Sequence, residues 1–235
     1  MNLSAKLIAL RQMPLLNDLT EEQLNLFAEH ALFQKYSKNA IVYDLGSNPD
    51  FVYLIEKGSV KLGILASCGK TLTKDIAYDN EIFGENIFTP NPINKEYAET
   101  MLDTKLYKIP VSVFKTVIIQ NSKFAHLIMN VIVTKLQNLE ERLQNFVFRK
   151  AKERIVDFIY RTGLRKGIKI GINECLIDHG MSHKEIAFLT DTSRQTVARI
   201  MNELKRENFI HYGTGKSCKI LIRDMNAMHE YRWVG

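Results

Sequence analysis

The stretch from Ser182 to Phe209, SHKEIAFLTDTSRQTVARIMNELKRENF, decides the fold of the C-terminal part of the chain. Ser182 and Glu185 form an S-x-x-E pattern, the capping box with which many helices begin. Asp191 follows one short helix later, and a short polar side chain tolerates the left-handed backbone of a tight turn. The pattern therefore predicts a short helix that ends in a tight turn at Asp191.

A second helix follows this turn. Thr192 and Gln195 form a T-x-x-Q capping box, and at about 100° per residue the next residues divide into two faces. One face is apolar and is predicted to be buried: Val197, Ile200, Met201 and Leu204. The opposite face carries cations and amides around a small alanine: Arg194, Gln195, Ala198, Arg199, Asn202, Lys205 and Arg206. Two short helices joined by a tight turn are typical of a helix-turn-helix, with 193–206 as the recognition helix.

The cationic face of the second helix suits the DNA major groove. Arginine bonds guanine through two hydrogen bonds, glutamine bonds adenine in the same way, and alanine permits close approach. The alternative is an ordinary solvated surface, which is what most faces rich in lysine and arginine are. We predict DNA contacts from seven residues of the two helices: Ser182, Lys184, Ser193, Arg194, Gln195, Thr196 and Arg199.

The same stretch resembles a known family. Residues 193–200, SRQTVARI, preceded by 182–187, SHKEIA, are similar to the helix-turn-helix of the cAMP-receptor-protein/FNR (Crp/Fnr) family of bacterial transcription regulators. One residue departs from the pattern, because Asp191 stands where the family usually has a turn glycine. The resemblance implies a homodimer that binds double-stranded DNA at an inverted-repeat site and that contacts RNA polymerase.

The charge of the chain is uneven. Residues 1–148 hold 15 Lys and Arg against 16 Asp and Glu, whereas residues 149–235 hold 17 against 10. A neutral front part with a basic back part predicts that only the back part binds a polyanion. The overall composition, 46% hydrophobic and 25% charged, is ordinary for one large or two small globular domains.

Cysteine content and hydropathy bear on the cellular compartment. The three cysteines, Cys68, Cys175 and Cys218, are odd in number and far apart, so free thiols in a reducing compartment are expected. No apolar run approaches the 18 residues of a membrane span, and the first residues lack the apolar core of a signal peptide. The sequence therefore predicts a cytoplasmic protein without a membrane partner.

Short β-rich runs fill the segment from about Ala31 to Ile109. Turn formers separate the runs, which are 40–43, 51–55, 59–65 and 73–78. Many short strands at such spacing predict an antiparallel barrel or jelly roll. Residues 53–61, YLIEKGSVK, are similar to a hairpin of cyclic-nucleotide-binding domains, and residues 81–85, EIFGE, resemble the opening of their phosphate-binding cassette.

The residues of the cassette indicate whether the effector is a cyclic nucleotide. In nucleotide-binding members of the family, a Gly-Glu pair is followed by an Arg-Ser pair; the Glu accepts from the ribose hydroxyl and the Arg neutralises the cyclic phosphate. Gly84 and Glu85 are present here, but Glu96 and Tyr97 occupy the Arg-Ser place. A carboxylate at that place repels a phosphate instead of pairing with it.

Two further residues extend this comparison. Lys95 is the alternative partner for a phosphate if the loop shifts by one residue. The cAMP-binding members also offer a Thr-Ser pair to the base, and Leu139 and Glu140 stand in that place here. The resemblance therefore implies that the fold is kept without the cAMP chemistry, and that any effector is an unknown small molecule.

An apolar stripe runs along a predicted long helix over 121–148. Its members recur at spacings of three and four residues: Ala125, Met129, Ile132, Leu136, Leu139, Leu143 and Phe146. Three heptads of this kind are typical of a two-stranded coiled coil, which would join two copies of the chain. The alternative is a single helix that packs on its own barrel, a contact that we expect at its N-terminal end from Phe124, Leu127, Ile128 and Val131.

These patterns divide the chain into three parts. We predict a sensor domain over 1–120 with helices at 4–12 and 20–30, a dimerisation helix over 121–148, and a winged helix-turn-helix domain over 149–235. The last domain is expected to hold a helix over 151–163 that ends at Gly163, one or two strands within 168–177, a hairpin over 209–222 and a short helix within 224–235. Lys216 and Lys219 of the hairpin are placed either to touch phosphate or merely to be solvated.

Motifs of catalysis and metal binding are missing from the sequence. It contains no G-x-x-x-x-G-K-[ST], G-x-S-x-G or H-E-x-x-H pattern, and its six histidines show no ligand spacing. We therefore expect neither an enzyme nor a metal site. Haem is a lesser alternative, because haem-sensing relatives place an axial ligand in the region of His126; the N-terminal cysteine cluster of iron–sulfur relatives is missing.

Together the patterns predict an α+β protein. It consists of an N-terminal double-stranded β-helix (a cyclic-nucleotide-binding-like jelly roll), a long dimerisation helix and a C-terminal winged helix-turn-helix. The function they favour is a homodimeric, sequence-specific transcription regulator of the Crp/Fnr type that does not respond to cAMP. The alternative is a cyclic-nucleotide-binding signalling module without DNA-binding activity, against which the cationic face of 194–206 argues.

Overall fold

The computed structural model describes residues 2–65, 71–178, 180–212 and 219–232. Three residues named above lie outside the described residues, namely Cys68, Lys216 and Cys218, and so does His179, one of the six histidines. The chain divides into two compact units, Met1–Gln137 and Asn138–Gly235. This division falls inside the predicted dimerisation helix, and the limits 1–120, 121–148 and 149–235 stay predictions.

Two four-stranded antiparallel sheets form the first unit. Their strands are β1 (Leu32–Tyr36), β2 (Ile41–Tyr43), β3 (Phe51–Lys57), β4 (Ser59–Leu65), β5 (Thr71–Tyr78), β6 (Ile82–Phe83), β7 (Tyr97–Thr100) and β8 (Thr104–Pro110). One sheet has the order β1-β8-β3-β6, and the other has the order β2-β7-β4-β5. This architecture confirms the predicted jelly roll, and the four predicted runs are strands β2 to β5.

Strand β3 shows how the sequence fills two cores at once. Successive side chains of a strand point to opposite faces. Tyr53 and Ile55 therefore enter the core between the two sheets, whereas Val52 and Leu54 enter a second core on the outer face. Both faces of this sheet are buried, which explains why β3 reads as a continuous apolar run instead of an alternating one.

Helices cover the outer face of this sheet. They are α1 (Leu3–Arg11), α2 (Glu21–His30), α3 (Val111–Gln120) and the first part of α4 (Ser122–Phe148). The rings of Phe27, Phe114 and Phe124 pack together with centroids 5.7 to 6.0 Å apart. Phe124 and Ile128 of α4 are buried in this core, and Leu127 and Val131 pack against it, as predicted. No single described helix is long and apolar enough to cross a membrane, whereas α3 and α4 pass that test together as a pair bent by 115°.

The second unit has the elements of a winged helix. Its helices after α4 are α5 (Ala151–Lys166), α6 (His183–Leu189), α7 (Arg194–Arg206) and α8 (Met225–Tyr231). Its strands are β9 (Ile168–Lys169), β10 (Cys175–Asp178), β11 (Ile210–Tyr212) and β12 (Lys219–Ile222), in the order β11-β12-β10-β9. β11 and β12 pair antiparallel and confirm the predicted hairpin, whose tip lies outside the described residues.

The prediction that the helix after residue 150 ends at Gly163 is wrong. Helix α5 continues to Lys166, and Gly163 is buried inside it. A Cβ atom at Gly163 would lie 2.9 Å from Cδ1 of Ile222 and 3.3 Å from Sδ of Met225. The glycine therefore permits close packing of β12 and α8 on the helix instead of ending it.

Candidate nucleic-acid interface and effector site

Helix α6 and the turn after it follow the sequence pattern closely. The Ser182 hydroxyl accepts from the Glu185 amide at 3.3 Å, and the Glu185 carboxylate accepts from the Ser182 amide at 2.7 Å, so the predicted capping box is confirmed. Asp191 has a φ of +50°, which confirms the predicted left-handed turn residue.

The second predicted capping box, between Thr192 and Gln195, is wrong. The residue that caps α7 is Ser193, whose hydroxyl accepts from the Thr196 amide at 3.0 Å. Thr192 belongs to the turn instead, because its amide donates to the Ala187 carbonyl at 2.9 Å. The Gln195 side chain is therefore not used in a cap, and it lies exposed on the first turn of the helix.

Helix α7 separates its two faces as predicted. The apolar side chains Val197, Ile200, Met201 and Leu204 are at most 1% exposed. Six of the seven candidate DNA contacts are exposed, and Thr196 is half-buried: Ser182, Lys184, Ser193, Arg194, Gln195 and Arg199. Arg199 has a side chain that is 69% exposed and lies 3.6 Å from the Glu203 carboxylate. The two helices thus leave six of the seven candidates accessible to solvent.

The wing strand β11 holds two residues of the cationic face. The Tyr212 hydroxyl donates to the Asn202 side-chain carbonyl at 2.6 Å. The Lys205 ammonium donates to the Tyr212 carbonyl at 3.3 Å and lies 5.0 Å from the centre of its ring. Asn202 and Lys205 therefore help to fix the wing on α7, a role that helical periodicity alone did not predict.

A histidine stands beside the same surface. The ring of His183 makes an edge contact with Tyr212, with centroids 6.3 Å apart. Burial lowers the pKa of His183, and the positive charge of Arg194 lowers it further. The imidazole is consequently neutral at pH 7, so the cations that this surface offers to DNA are its arginines and lysines.

Two arginines that the sequence reading missed hold the turn between α6 and α7. The Arg142 guanidinium, on α4, bonds both carboxylate oxygens of Asp191 at 2.7 and 3.1 Å and also donates to the Phe188 carbonyl. The Arg154 guanidinium, on α5, donates to the carbonyls of Thr190 and Asp191 at 2.8 and 2.9 Å. The one available signal was Asp191 itself, a charged residue in the place of a glycine.

The cassette opens as predicted but is occupied by the chain itself. Gly84 has a φ of +101° and precedes a single 3₁₀ turn over Glu85–Phe88. The Glu85 carboxylate forms an ion pair with Lys135 of α4, and the Lys135 ammonium also donates to the Ile82 carbonyl at 3.0 Å. The carboxylate that would accept from a ribose hydroxyl is therefore already bound to a cation.

Glu96, which the resemblance sets in the place of the phosphate-binding arginine, is a buried carboxylate. Glu96 is 2% exposed, and its oxygens accept from the Lys74 ammonium at 2.6 Å and from the Tyr43 hydroxyl at 3.3 Å. Burial raises the pKa of Tyr43 and the Glu96 charge raises it further, so the phenol keeps its proton and donates. Lys95 is exposed. Tyr97 packs over Gly63 of the paired strand β4, where a Cβ atom would clash with the tyrosine ring.

Comparison with known proteins finds a known domain in each unit. The Crp-like helix-turn-helix domain matches residues 153–231, and the Cyclic nucleotide-binding domain matches residues 33–121. The chain belongs to the Crp/Fnr family. As a member of that family, the protein is a transcription regulator that carries a DNA-binding helix-turn-helix.

Three relatives illustrate the match. The "Anaerobic regulatory protein" of Bacillus subtilis is 23% identical over 190 residues, which are 80% of this chain and 79% of that protein. The "CRP-like cAMP-activated global transcriptional regulator" of Mycobacterium tuberculosis is 24% identical over 194 residues, 82% of this chain and 84% of that protein. The structure of FixK2 from Bradyrhizobium japonicum has a TM-score of 0.74 and 19% identity, and it covers 85% of this chain and 96% of that one.

The apolar stripe of this Crp/Fnr regulator lies open on helix α4. Within the single chain, Ala125 is half-buried and the other six residues are between 38% and 65% exposed: Met129, Ile132, Leu136, Leu139, Leu143 and Phe146. Leu139 and Glu140, the candidate base contacts, belong to the second unit, and both are exposed.

An apolar cleft lies beside the cassette in the first unit of the regulator. Its lining comes from the jelly roll, the cassette turn and α4, and it includes Val52, Ile82, Phe88, Phe114, Ile128 and Ile132. Gly84 and Glu85 also border the cleft, so the cassette opens toward apolar side chains.

His126, the residue considered for haem, is exposed on α4. In the part of the chain that the structure describes, no three or more His, Cys, Asp or Glu side chains are grouped so that they could hold a metal ion. Cys175 is a free, buried thiol, and burial raises its pKa, so it is a packing residue of β10.

Proposed function

We propose that this Crp/Fnr protein is a homodimeric, sequence-specific regulator that reads an inverted-repeat DNA site and does not respond to cAMP. The observation that supports DNA reading is the exposed cationic face of α7. It lies on the opposite side of the helix from four buried apolar residues. The second unit also holds most of the excess positive charge of the chain, which favours a polyanion as its partner.

Base reading is assigned to the N-terminal end of α7. Arg194, Gln195 and Arg199 are exposed there, and the recognition helix of a helix-turn-helix contacts bases with this end. The arginine forks match O6 and N7 of guanine, and Gln195, which is not occupied in a cap, matches adenine. Lys184, exposed at the start of α6, is placed to bind phosphate.

Dimerisation is assigned to the stripe on α4. Six large apolar side chains at heptad spacing are exposed in the single chain, and an exposed apolar stripe of this length is costly in water unless a second helix covers it. A two-fold dimer presents two recognition helices, so its site is an inverted repeat with half-sites about 34 Å apart.

The absence of a cAMP response is supported by the cassette. Glu96 is buried with Lys74 and Tyr43 where the nucleotide-binding members place an arginine, and Glu85 is paired with Lys135. A cyclic phosphate would therefore meet a buried negative charge instead of a cation.

Three further parts of the proposal follow from the family. A bacterial regulator of this kind acts in the cytoplasm, where the chromosome lies. It acts on transcription by contacting RNA polymerase. We propose no catalytic activity.

A gel-shift experiment with mixed genomic fragments tests the proposal against a signalling module without DNA activity. We expect retardation of a small subset of fragments in the absence of any nucleotide, and sedimentation of the free protein as a dimer. Uniform retardation of all fragments, or none, would contradict sequence-specific binding. Retardation that required added cAMP would contradict the assignment of the cassette.

A further inference from the structure

The turn of the helix-turn-helix carries a residue that its backbone alone does not favour. Asp191 has a φ of +50°, a region in which glycine is the most comfortable residue and other residues are strained. Aspartate accepts this conformation better than most side chains but still at some cost. Aspartate differs from glycine in that it offers a carboxylate, which can pair with a cation.

The partner of Asp191 shows what that is. Arg142 approaches from α4, 49 residues earlier in the chain, and bonds both oxygens of the Asp191 carboxylate. The pair is partly sheltered from water, with side chains 23% and 26% exposed. A bidentate bond between a guanidinium and a carboxylate fixes direction as well as distance. It therefore restrains how the turn is oriented on α4.

Arg142 occupies a particular position on that helix. It directly precedes Leu143 of the apolar stripe and follows Leu139 by three residues, so it flanks the stripe. In a coiled coil such flanking positions usually hold charges that pair with the partner helix. Here the charge is instead directed to the recognition motif of its own chain.

We propose that Arg142 is a positioning residue for DNA recognition, which sets the angle between the dimerisation helix and the recognition helix through Asp191. The inference rests on the proposed function, because it requires a dimer that reads two half-sites. It assigns no DNA contact to Arg142. The residue acts by holding the two recognition helices at the separation and rotation that the inverted repeat demands.

The second arginine of the turn has a different task. Arg154 bonds the backbone carbonyls of Thr190 and Asp191 and would hold the turn whatever side chain stood at position 191. Both helices are also capped by their own serines. The helix-turn-helix therefore keeps its shape without Arg142. Loss of Arg142 should free the orientation of the turn relative to α4 more than it should lower the stability of the fold.

A spacer experiment separates orientation from local binding. One added or removed base pair rotates one half-site by about 34° relative to the other. We would measure the affinity of the full-length protein for three kinds of duplex. These are the inverted repeat selected by the wild type, the same repeat with one base pair more or less between its halves, and a single half-site.

Four single variants and one double variant, Arg142→Gln with Asp191→Gly, are compared with the wild type. Arg142→Gln removes the charged fork, Arg142→Lys keeps the charge without the fork, and Asp191→Gly restores the usual turn residue. The matched control is Arg161→Gln. Arg161 of α5 pairs with Glu141, so this ion pair also involves the same part of α4, but it does not involve the turn. Thermal unfolding checks that each variant is folded. If Arg142→Gln is unfolded, Arg142→Lys takes its place as the test of the pair.

The proposal expects a loss of spacer discrimination in the variants of the pair. Wild type and Arg161→Gln should prefer the selected spacing, about tenfold or more, whereas Arg142→Gln and Asp191→Gly should bind all spacings within about threefold. Half-site affinity should stay within about twofold of wild type. Arg142→Lys should be intermediate, and Arg142→Gln combined with Asp191→Gly should be no worse than either alone.

Three results would overturn the inference. They are unchanged discrimination in folded Arg142→Gln, an equal loss in Arg161→Gln, and a loss of half-site affinity as large as the loss on the repeat. A wild type that selects no repeat at all would overturn the proposed function and this inference with it. A wild type that selects one, followed by any of the three results, overturns the inference alone.

Discussion

Arg199 and Lys184 both lie on the exposed side of the helix-turn-helix, yet their side chains are assigned to different parts of the DNA. Arg199 lies one turn into α7 and Lys184 lies at the start of α6. We propose that Arg199 contacts a base edge and that Lys184 contacts a phosphate. A base contact changes sequence preference, whereas a phosphate contact changes affinity for every sequence and its dependence on salt.

Lys184→Ala should therefore weaken binding to all duplexes alike. The removal of one phosphate contact releases one counterion fewer, so the slope of log K against log salt should fall by about one unit. Filter binding over a salt series measures this slope. Lys115→Ala, which removes an exposed lysine from α3 in the other unit, is the control and should leave the slope unchanged.

Gly58 lies at a position of the jelly roll that has no room for a Cβ atom. Its φ is +117°, and a Cβ there would lie 2.8 Å from Cα of Thr104 and 2.9 Å from the Asp103 carbonyl oxygen. Backbone atoms cannot move aside, so Gly58→Ala should destabilise the fold by about 2–4 kcal/mol. Urea unfolding measures the loss.

Gly46→Ala is the matched control for this substitution. Gly46 also has a positive φ, +82°, but nothing lies within 4 Å of its added Cβ. Only the backbone strain remains, so the loss should be about 1 kcal/mol. Equal losses for the two variants would show that the contact with residues 103 and 104 does not matter.

Single residues also mark where sequence reading fails. The capping box at Ser182 was predictable because its residues lie close together in the sequence and only one position fits the pattern. At the start of α7, Thr192 and Ser193 are neighbours that both match capping patterns, and only the bond from the Thr192 amide to Ala187 decides between them. Gly163 was misread because its packing partners, Ile222 and Met225, lie about 60 residues away along the chain.

At the scale of elements, helix α4 combines two kinds of apolar contact. Its first part packs on the jelly roll through Phe124 and Ile128, and the stripe from Met129 to Phe146 stays exposed in one chain. The heptad spacing predicted this helix, but spacing alone does not distinguish a seam between chains from a face on the same chain. The exposure of the stripe in one chain favours a seam between two chains, which is what we propose.

Leu136→Glu combined with Leu139→Glu should abolish the dimer. The two substitutions place four charges in one apolar interface, and buried unpaired charge is prohibitive. Sedimentation should show monomer or aggregate. The control is Gln137→Glu with Asn138→Glu, which adds the same charge to exposed positions of α4 off the stripe and should leave a dimer. A dimer in both double variants would refute the coiled-coil assignment.

At the scale of the whole molecule, both candidate sites depend on ion pairs between distant residues. Lys135 meets Glu85, Lys74 meets Glu96, and Arg142 meets Asp191 across 50, 22 and 49 residues of chain. The fold class, the strand runs and the two faces of α7 follow from local patterns and were predictable. These pairs depend on how the chain folds back on itself, so no periodicity or motif could reveal them.

The first two of these pairs predict the ligand behaviour of the intact protein. Titration calorimetry with cAMP and with cGMP should show no binding at micromolar concentration. The two carboxylates of the cassette, Glu85 and Glu96, are already paired with lysines of the same chain. A dissociation constant below about 10 μM, or roughly −7 kcal/mol, would contradict this account. It would indicate that Lys95 has taken the role of the phosphate-binding arginine.

Selection from random duplexes, with wild type and with Arg199→Ala, tests the central claim most directly. Wild type should select an inverted repeat with half-sites about one helical turn apart. Arg199→Ala should cost about 1–3 kcal/mol and flatten the preference at one symmetric base pair in each half-site. If wild type selects no inverted repeat, or if Arg199→Ala selects the same motif with the same base frequencies, the protein does not read DNA as we propose.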